Sequence, residues 1–353
     1  MPRWFYGLLL LVPGALVAPL LDLPPVVVFV TAAGGMVPIA GLIGNATEHL
    51  AHHLGPRYGG LLNVTFGNAA ELILTLFAVR AGLLTLVKAS ITGSIIGNTL
   101  FALGVSLLVG GLRHGPLCFD ARRTSGAAAM MILAIAGLYL PATFATAVQD
   151  QPVIEELSLS VAGVLLLTYV AYLVHLALQG RSAAGSSAED PPPESAVWSV
   201  PRASAVLAGG AIGAAICGEV LVGAVEPVTR QLGWSEFFVG VILVALLGNA
   251  AEYVSAFRMA WRNRLDVTLA IAAGSSMQVA LFVAPVLVFA SLGLGHPLTV
   301  VFTPLELAIL GFAVAIFAYI SIDGESSWLE GVQLLGVYAI AALAFFFLRV
   351  AAA

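Results

Sequence analysis

The sequence predicts an all-α membrane protein with eleven transmembrane helices, and three observations lead to this prediction. First, 60% of the 353 residues are hydrophobic and only 9% are charged, whereas a soluble domain carries about 25% charged residues. Second, the hydrophobic residues form runs of roughly 20, the length that a helix needs to cross a bilayer. Third, these runs lack the two-residue alternation of barrel strands. A soluble globular protein, a disordered chain and a nucleic-acid binder are excluded, since the net charge is −5 and basic residues are not clustered.

Eleven segments meet the length criterion. In chain order they cover residues 3–21, 26–49, 59–80, 89–111, 124–145, 156–178, 203–226, 235–259, 266–292, 302–322 and 328–348. The first segment begins at Arg3 and could resemble a signal peptide, but no convincing small-residue cleavage site precedes Pro24. We therefore expect it to be retained as a membrane helix.

One stretch divides the chain and also indicates its orientation. Residues 179–202 are rich in Ser and Gly and then in Pro, a composition typical of linkers. The predicted domains are an N-terminal helix over 1–24, a five-helix repeat over 25–178, this cytoplasmic linker and a second five-helix repeat over 203–353. Most of the 14 Lys and Arg residues lie in loops on the linker's side, so we expect that side and the N-terminus to be cytoplasmic. An acidic loop with Asp323, Glu325 and Glu330 is expected outside.

A repeated motif links the two halves. The residues Gly-Asn-Ala-Ala-Glu at 67–71 recur unchanged at 248–252, and Gly-Ser at 93–94 recurs at 274–275 with the same offset of 181. Five helices separate the two copies, so the copies enter the membrane from opposite sides. Inverted repeats of this kind are the usual plan of secondary transporters, whose binding site lies near the bilayer midplane.

The motif has the chemistry of a cation site. Gly67 and Gly248 weaken their helices and allow a kink that exposes carbonyl oxygens. Helical spacing places further oxygen-bearing residues on shared faces. These groups are Asn63, Gly67 and Glu71; Ser94 and Asn98; Gly248 and Glu252; and Ser275 and Gln278.

All these groups offer oxygen ligands, which hard cations such as Ca²⁺ prefer, whereas soft metals prefer Cys or His. Two carboxylates, Glu71 and Glu252, could neutralise one divalent ion. An ionised carboxylate near the bilayer centre costs on the order of 3 kcal/mol, and burial and like charge both favour its protonated form. We therefore expect the two glutamates to take up protons when the cation leaves.

Several motifs along residues 36–349 resemble the calcium/cation–proton exchanger family. They are Gly-Asn-Ala-Thr-Glu at 44–48, both Gly-Asn-Ala-Ala-Glu motifs, Lys-Ala-Ser at 88–90, Gly93-Ser94, Asn98, Gly-Ser-Ser-Met-Gln at 274–278, Phe-Val-Ala-Pro at 282–285 and the acidic stretch 323–331.

The resemblance implies a peripheral first helix followed by two inverted five-helix repeats. It implies that Glu71 and Glu252 bind the transported cation and exchange it for protons. It also implies that Asn68, Asn249, Ser275 and Gln278 line the site, with carbonyls near Gly67 and Gly248. In a bacterial-style chain of this length Ca²⁺ would leave the cytoplasm as protons enter, so we expect a prokaryotic cell (inner) membrane.

Two departures from the family pattern affect titratable groups. Asn45 stands where a glutamate is expected, which leaves Glu48 as the acidic residue there, and Tyr253 stands where many members have histidine. We assign Glu48 a gating or proton role. Two interpretations fit the neighbouring His49, His52 and His53. They could form a site for a metal ion or a proton, or they could be solvated side chains at the end of a helix.

The leading hypothesis is a secondary antiporter of Ca²⁺, or a related cation, against H⁺, and not an enzyme. The expected partners are the cation, protons and the lipid bilayer, without nucleic acid and without a cofactor, and a homo-oligomer is left open. A Na⁺/Ca²⁺ exchanger on the same scaffold, an intramembrane metalloprotein using Glu48 and the histidines, and a passive cation channel are the alternatives.

Overall fold

A computed structural model describes residues 7–178 and 197–348. The predicted linker and the start of the first predicted segment fall largely outside these ranges. The described chain is almost entirely helical, as the unbroken apolar runs predict. Its twelve helices are α1 (Leu8–Leu20), α2 (Pro25–Phe66), α3 (Ala69–Arg80), α4 (Leu84–His114), α5 (Ala121–Ala147), α6 (Gln151–Leu178), α7 (Val200–Leu232), α8 (Glu236–Gly248), α9 (Ala250–Trp261), α10 (Leu265–Leu294), α11 (Pro304–Asp323) and α12 (Trp328–Phe347).

The all-α membrane fold is confirmed. Within the described ranges, eight helices are long and apolar enough to cross a membrane, and the bent pair α8 and α9, which meet at 58°, would make a ninth span. Helix α1 is shorter, and the predicted segment 59–80 coincides with the end of α2 followed by α3. The number of eleven crossings stays a prediction.

Several helices depart from regular α geometry. Helix α2 is interrupted at Gly55, whose φ of 75° and ψ of 173° are accessible mainly to glycine. Helices α4, α8 and α10 each contain a π-helical turn, at Gly97–Ala102, Val239–Val244 and Val279–Val283. The turns in α4 and α10 lie at nearly equivalent positions of the two repeats. Such turns occur frequently at functional sites in helices.

The chain forms two compact units, and each draws on both halves of the sequence. Unit 1 contains the described residues up to Gly93, those from 197 to Ala251 and those from Ala342 onwards; unit 2 contains 94–178 and 252–341. In unit 1, α2 packs closely on α7, where a methyl group added to Gly35 would lie 3.2 Å from Cys217 Sγ. In unit 2, a methyl group on Gly111 would lie 2.5 Å from the backbone nitrogen of Trp328, so α4 approaches the start of α12 closely.

A short β-ladder in unit 2 corrects one expectation about the loops. Strand β1 (Leu117–Cys118) pairs antiparallel with β2 (Glu325–Ser326), and Phe119 N–H donates to the Gly324 carbonyl at 2.8 Å. The acidic loop therefore lies at the same end as the loop after α4, which was assigned to the cytoplasm. The expectation that these two loops lie on opposite sides of the membrane was wrong, because the ladder joins them directly.

Candidate functional site

Both copies of the repeated motif break their helices in the same way. Asn68 has φ −101° and ψ 24°, and Asn249 has φ −100° and ψ 12°, a sparsely populated backbone region. A new helix begins immediately after each asparagine, so that Glu71 and Glu252 lie in the first turns of α3 and α9. The N–H groups of a first turn lack intrahelical partners and favour negative charge. The repeated motif thus encodes a repeated helix start that carries a carboxylate.

In unit 1 the first-copy glutamate lies against the second-copy glycine. A methyl group on Gly248 would lie 4.0 Å from both Cβ and Cγ of Glu71, and Glu71 is only 3% exposed. Asn68 and Asn249 are also buried, and Asn249 Nδ2 donates to the Ala245 carbonyl at 2.9 Å. Buried Glu71 therefore lies beside the end of α8, where that helix breaks.

Helix α4 approaches α8 very closely in the same unit. A methyl group on Gly93 would lie 2.1 Å from the Val241 carbonyl oxygen, and one on Gly240 would lie 2.7 Å from Ala89 Cβ. The backbone N–H of Leu86 donates to Glu236 Oε1 at 2.9 Å. These contacts hold α8, which ends at the second motif. The repeat identified Gly93 as a landmark, but the sequence could not predict that α4 approaches α8 at this residue.

In unit 2 a hydrogen bond joins one predicted residue from each repeat. Asn98 Nδ2, in the π turn of α4, donates to Ser275 Oγ on α10 at 3.0 Å. Both residues are buried. The Gln278 side chain forms a hydrogen bond with Tyr169 on α6. Sequence reasoning missed Tyr169, because a tyrosine in an apolar helix carries no motif.

Glu252 lies in unit 2 with one carboxylate oxygen unsatisfied. Among the residues that the structure describes, nothing hydrogen-bonds Glu252 Oε2, although this atom is buried. Leaving a buried charged acceptor unsatisfied costs at least about 1–3 kcal/mol. A cation ligand is one way to satisfy such an oxygen.

The predicted site residues therefore fall into two sets. Unit 1 contains Gly67, Asn68, Glu71, Gly248 and Asn249, and unit 2 contains Ser94, Asn98, Glu252, Ser275 and Gln278. The side chain of Asn63 lies outside the described part. Within unit 1 the structure brings Glu71 to Gly248, and within unit 2 it brings Asn98 to Ser275.

Two of the three histidines near Glu48 contact Trp198, which precedes α7. The His49 ring stacks on Trp198 with centroids 4.5 Å apart, and the Trp198 backbone N–H donates to His49 Nδ1 at 3.4 Å. His53 Nε2 lies 2.8 Å from the Trp198 carbonyl oxygen, and the Arg202 guanidinium lies 4.7 Å from the Trp198 ring centre. Over 7–178 and 197–348 no three His, Cys, Asp or Glu side chains form a group that could hold a metal ion.

Comparison with known proteins gives matches over nearly the whole chain. A family model described as sodium/calcium exchanger protein matches residues 24–178 and 203–347. The Ca²⁺/H⁺ antiporter ChaA of Bacillus subtilis is 41% identical over 96% of this chain and 97% of that protein. A Ca²⁺/H⁺ antiporter of Aphanothece halophytica is 40% identical over 97% of this chain and 96% of that protein. A crystal structure of the Ca²⁺/H⁺ antiporter protein YfkE has a TM-score of 0.85 and 39% identity, covering 98% of this chain and all of that chain.

Proposed function

The chain belongs to the sodium/calcium exchanger protein family, and we propose that it exchanges Ca²⁺ for H⁺ across a membrane by alternating access. The resemblance to calcium/cation–proton exchangers is thereby confirmed, and the chain is a transporter rather than an enzyme. Relatives of about 40% identity carry the name Ca²⁺/H⁺ antiporter. The observation that supports the proposal most strongly is the duplicated helix break that starts a new helix with a glutamate in its first turn.

Both glutamates bind the transported cation in this proposal. Calcium takes several oxygen ligands, including carboxylates, amide oxygens and backbone carbonyls, and the buried residues of the two sets supply these types. The lining groups are Asn68, Asn249, Ser275, Gln278, Asn98 and Ser94, with carbonyls near Gly67 and Gly248. Glu48 serves as a gating or proton-transfer residue.

Competition for the same oxygens couples the two fluxes. A carboxylate must lose its proton to bind a metal ion, so cation binding releases protons. When the cation leaves, an ionised carboxylate in the membrane interior would be costly, and protonation removes that cost. Each glutamate is therefore either bound to the cation or protonated throughout the transport cycle.

The direction of transport is part of the proposal. Ca²⁺ leaves the cytoplasm while protons enter, in a prokaryotic cell (inner) membrane with the N-terminus in the cytoplasm. The distribution of Lys and Arg among the loops supports this orientation. The sequence repeats over 25–178 and 203–353 are the two halves that would exchange roles between the inward-open and outward-open states.

A Na⁺/Ca²⁺ exchanger is the second candidate, because the matching family model is described by that activity. Everted membrane vesicles containing the protein distinguish the two. In sodium-free buffer, we expect vesicles with an acidic interior to take up ⁴⁵Ca²⁺ as protons leave. A Na⁺ gradient without a pH gradient should drive no uptake. Uptake driven by Na⁺ alone would contradict proton coupling. Vesicles without the protein are the control.

A further inference from the structure

The hydroxyl group of Tyr253, the residue after Glu252, lies close to the backbone of Gly97. A methyl group added to Gly97 would lie 2.3 Å from the Tyr253 hydroxyl oxygen but 3.4 Å from Cζ. Real Cβ atoms do not approach a neighbour as closely as 2.3 Å, whereas 3.4 Å borders on ordinary van der Waals contact. The absence of a side chain at position 97 therefore accommodates the hydroxyl group in particular.

Packing restricts how far the tyrosine ring could move. Tyr253 is 4% exposed, and its ring lies edge-on to Phe101, with centroids 5.6 Å apart, and near Phe257 at 6.5 Å. Phe101 is itself packed against Tyr338, at 5.3 Å. An interior packed to the density of proteins resists insertion of even one methyl group.

The contact joins two helices at residues adjacent to the proposed ligands. Gly97 is the first residue of the π turn in α4, and its neighbour Asn98 donates to Ser275. Tyr253 is adjacent to Glu252 in the first turn of α9. We propose that Tyr253 and Gly97 form a positioning pair that sets the register between Glu252 on α9 and Asn98 on α4. This inference rests on the proposed Ca²⁺/H⁺ exchange.

The pair makes a specific prediction for three variants. Gly97→Ala should raise the KM for Ca²⁺ about tenfold or more, which corresponds to about 1.4 kcal/mol, because the added methyl group would displace α4 from α9 next to the proposed ligands. Tyr253→Phe should raise KM by about threefold, less than Gly97→Ala does, because it removes the hydroxyl contact but conserves the ring. Gly97→Ala with Tyr253→Phe should return KM to within about threefold of wild type, since the new methyl would then meet only the ring edge.

The experiment measures ⁴⁵Ca²⁺ uptake against Ca²⁺ concentration in everted vesicles, with the amount of folded protein determined by size-exclusion chromatography in detergent. Gly311→Ala is the matched control, because a methyl group there meets nothing within 4 Å. If Gly97→Ala fails to fold, recovery of folded and active protein in the double variant supports the pair. A Gly97→Ala protein with wild-type KM, or a defect that Tyr253→Phe does not relieve, overturns it. Absence of proton-driven uptake in the wild type would instead contradict the proposed function.

Discussion

The two copies of Gly-Asn-Ala-Ala-Glu share a backbone but not their surroundings. Asn68 and Asn249 have φ and ψ values within about a dozen degrees of each other, and each is followed by a helix with a glutamate in its first turn. Glu71, however, is followed by a leucine and lies against Gly248. Glu252 is followed by Tyr253, which belongs to a group of aromatic rings.

This difference separates what the inverted repeat must preserve from what it is free to change. The backbone break supplies carbonyl oxygens and an electropositive helix start, and both copies keep it. The neighbouring side chains set how each glutamate is held, and they have diverged. We therefore expect both carboxylates to be required, but the substitutions that disturb them to differ between the copies.

The largest effect is expected from removing either carboxylate charge. Glu71→Gln and Glu252→Gln should each lower proton-driven ⁴⁵Ca²⁺ uptake at least about 100-fold, since even groups that only support metal ligands commonly contribute 10–100-fold. Glu226→Gln is the control, because Glu226 is 63% exposed and paired with Arg230 on α7, and such exposed ion pairs contribute little. A large defect in only one of the two variants would show that the copies are not equivalent.

A loss of stability is expected from Gly93→Ala. The added methyl group would lie 2.1 Å from the Val241 carbonyl oxygen, which is backbone and can move only with α8. We expect a cost of about 3 kcal/mol, at the upper end of overpacking effects, measured as a lower temperature of thermal unfolding in detergent. Gly209→Ala, where a methyl group has open space, is the matched control. Equal unfolding temperatures would refute the close approach of α4 to α8.

An intermediate effect is expected from the hydrogen bond between Asn98 and Ser275. Asn98→Ala and Ser275→Ala should each raise the KM for Ca²⁺ about tenfold, because each leaves a buried polar group unsatisfied at a cost of about 1–3 kcal/mol. The double variant should be less impaired than the product of the two single effects. Strictly multiplicative effects in this double-mutant cycle would indicate that the two side chains act independently.

The smallest effect on transport is expected from Trp198→Ala. This change removes the stacking with His49 and the cation–π contact with Arg202. A cation–π contact contributes about 0.5–2 kcal/mol. Uptake should stay within about threefold of wild type, while the unfolding temperature in detergent falls. His52→Ala serves as the comparison. A complete loss of uptake in folded Trp198→Ala protein would point to a functional role of this cluster.

Much of the fold and of the site could be predicted, because membrane helices and repeated motifs leave strong local signals. The apolar runs predicted the helices, and Gly67 and Gly248 predicted the kinks that the structure places at the following asparagines. The shared helical face of Ser275 and Gln278 followed from their spacing alone. The prediction that all ten site residues take part in cation binding is a functional statement that transport measurements must test.

Long-range packing accounts for what the sequence did not reveal. The contact of Tyr253 with Gly97 joins residues that are more than 150 positions apart. Helical periodicity does not predict a contact between two such distant residues. Tyr169 was missed for the same reason. The loop after α4 and the acidic loop after α11 were expected on opposite sides, because the pairing of β1 with β2 is also a contact between distant parts of the sequence.

Proton release on Ca²⁺ binding tests most directly the claim that both carboxylates exchange a proton for the cation. Purified protein in weakly buffered detergent solution is mixed with CaCl₂, and a pH-sensitive dye records the protons released. The wild type should acidify the solution, and Glu71→Gln and Glu252→Gln should each release fewer protons, whereas Glu226→Gln should match the wild type. Ca²⁺ binding to the wild type without proton release, or release that neither glutamate variant reduces, would contradict the account.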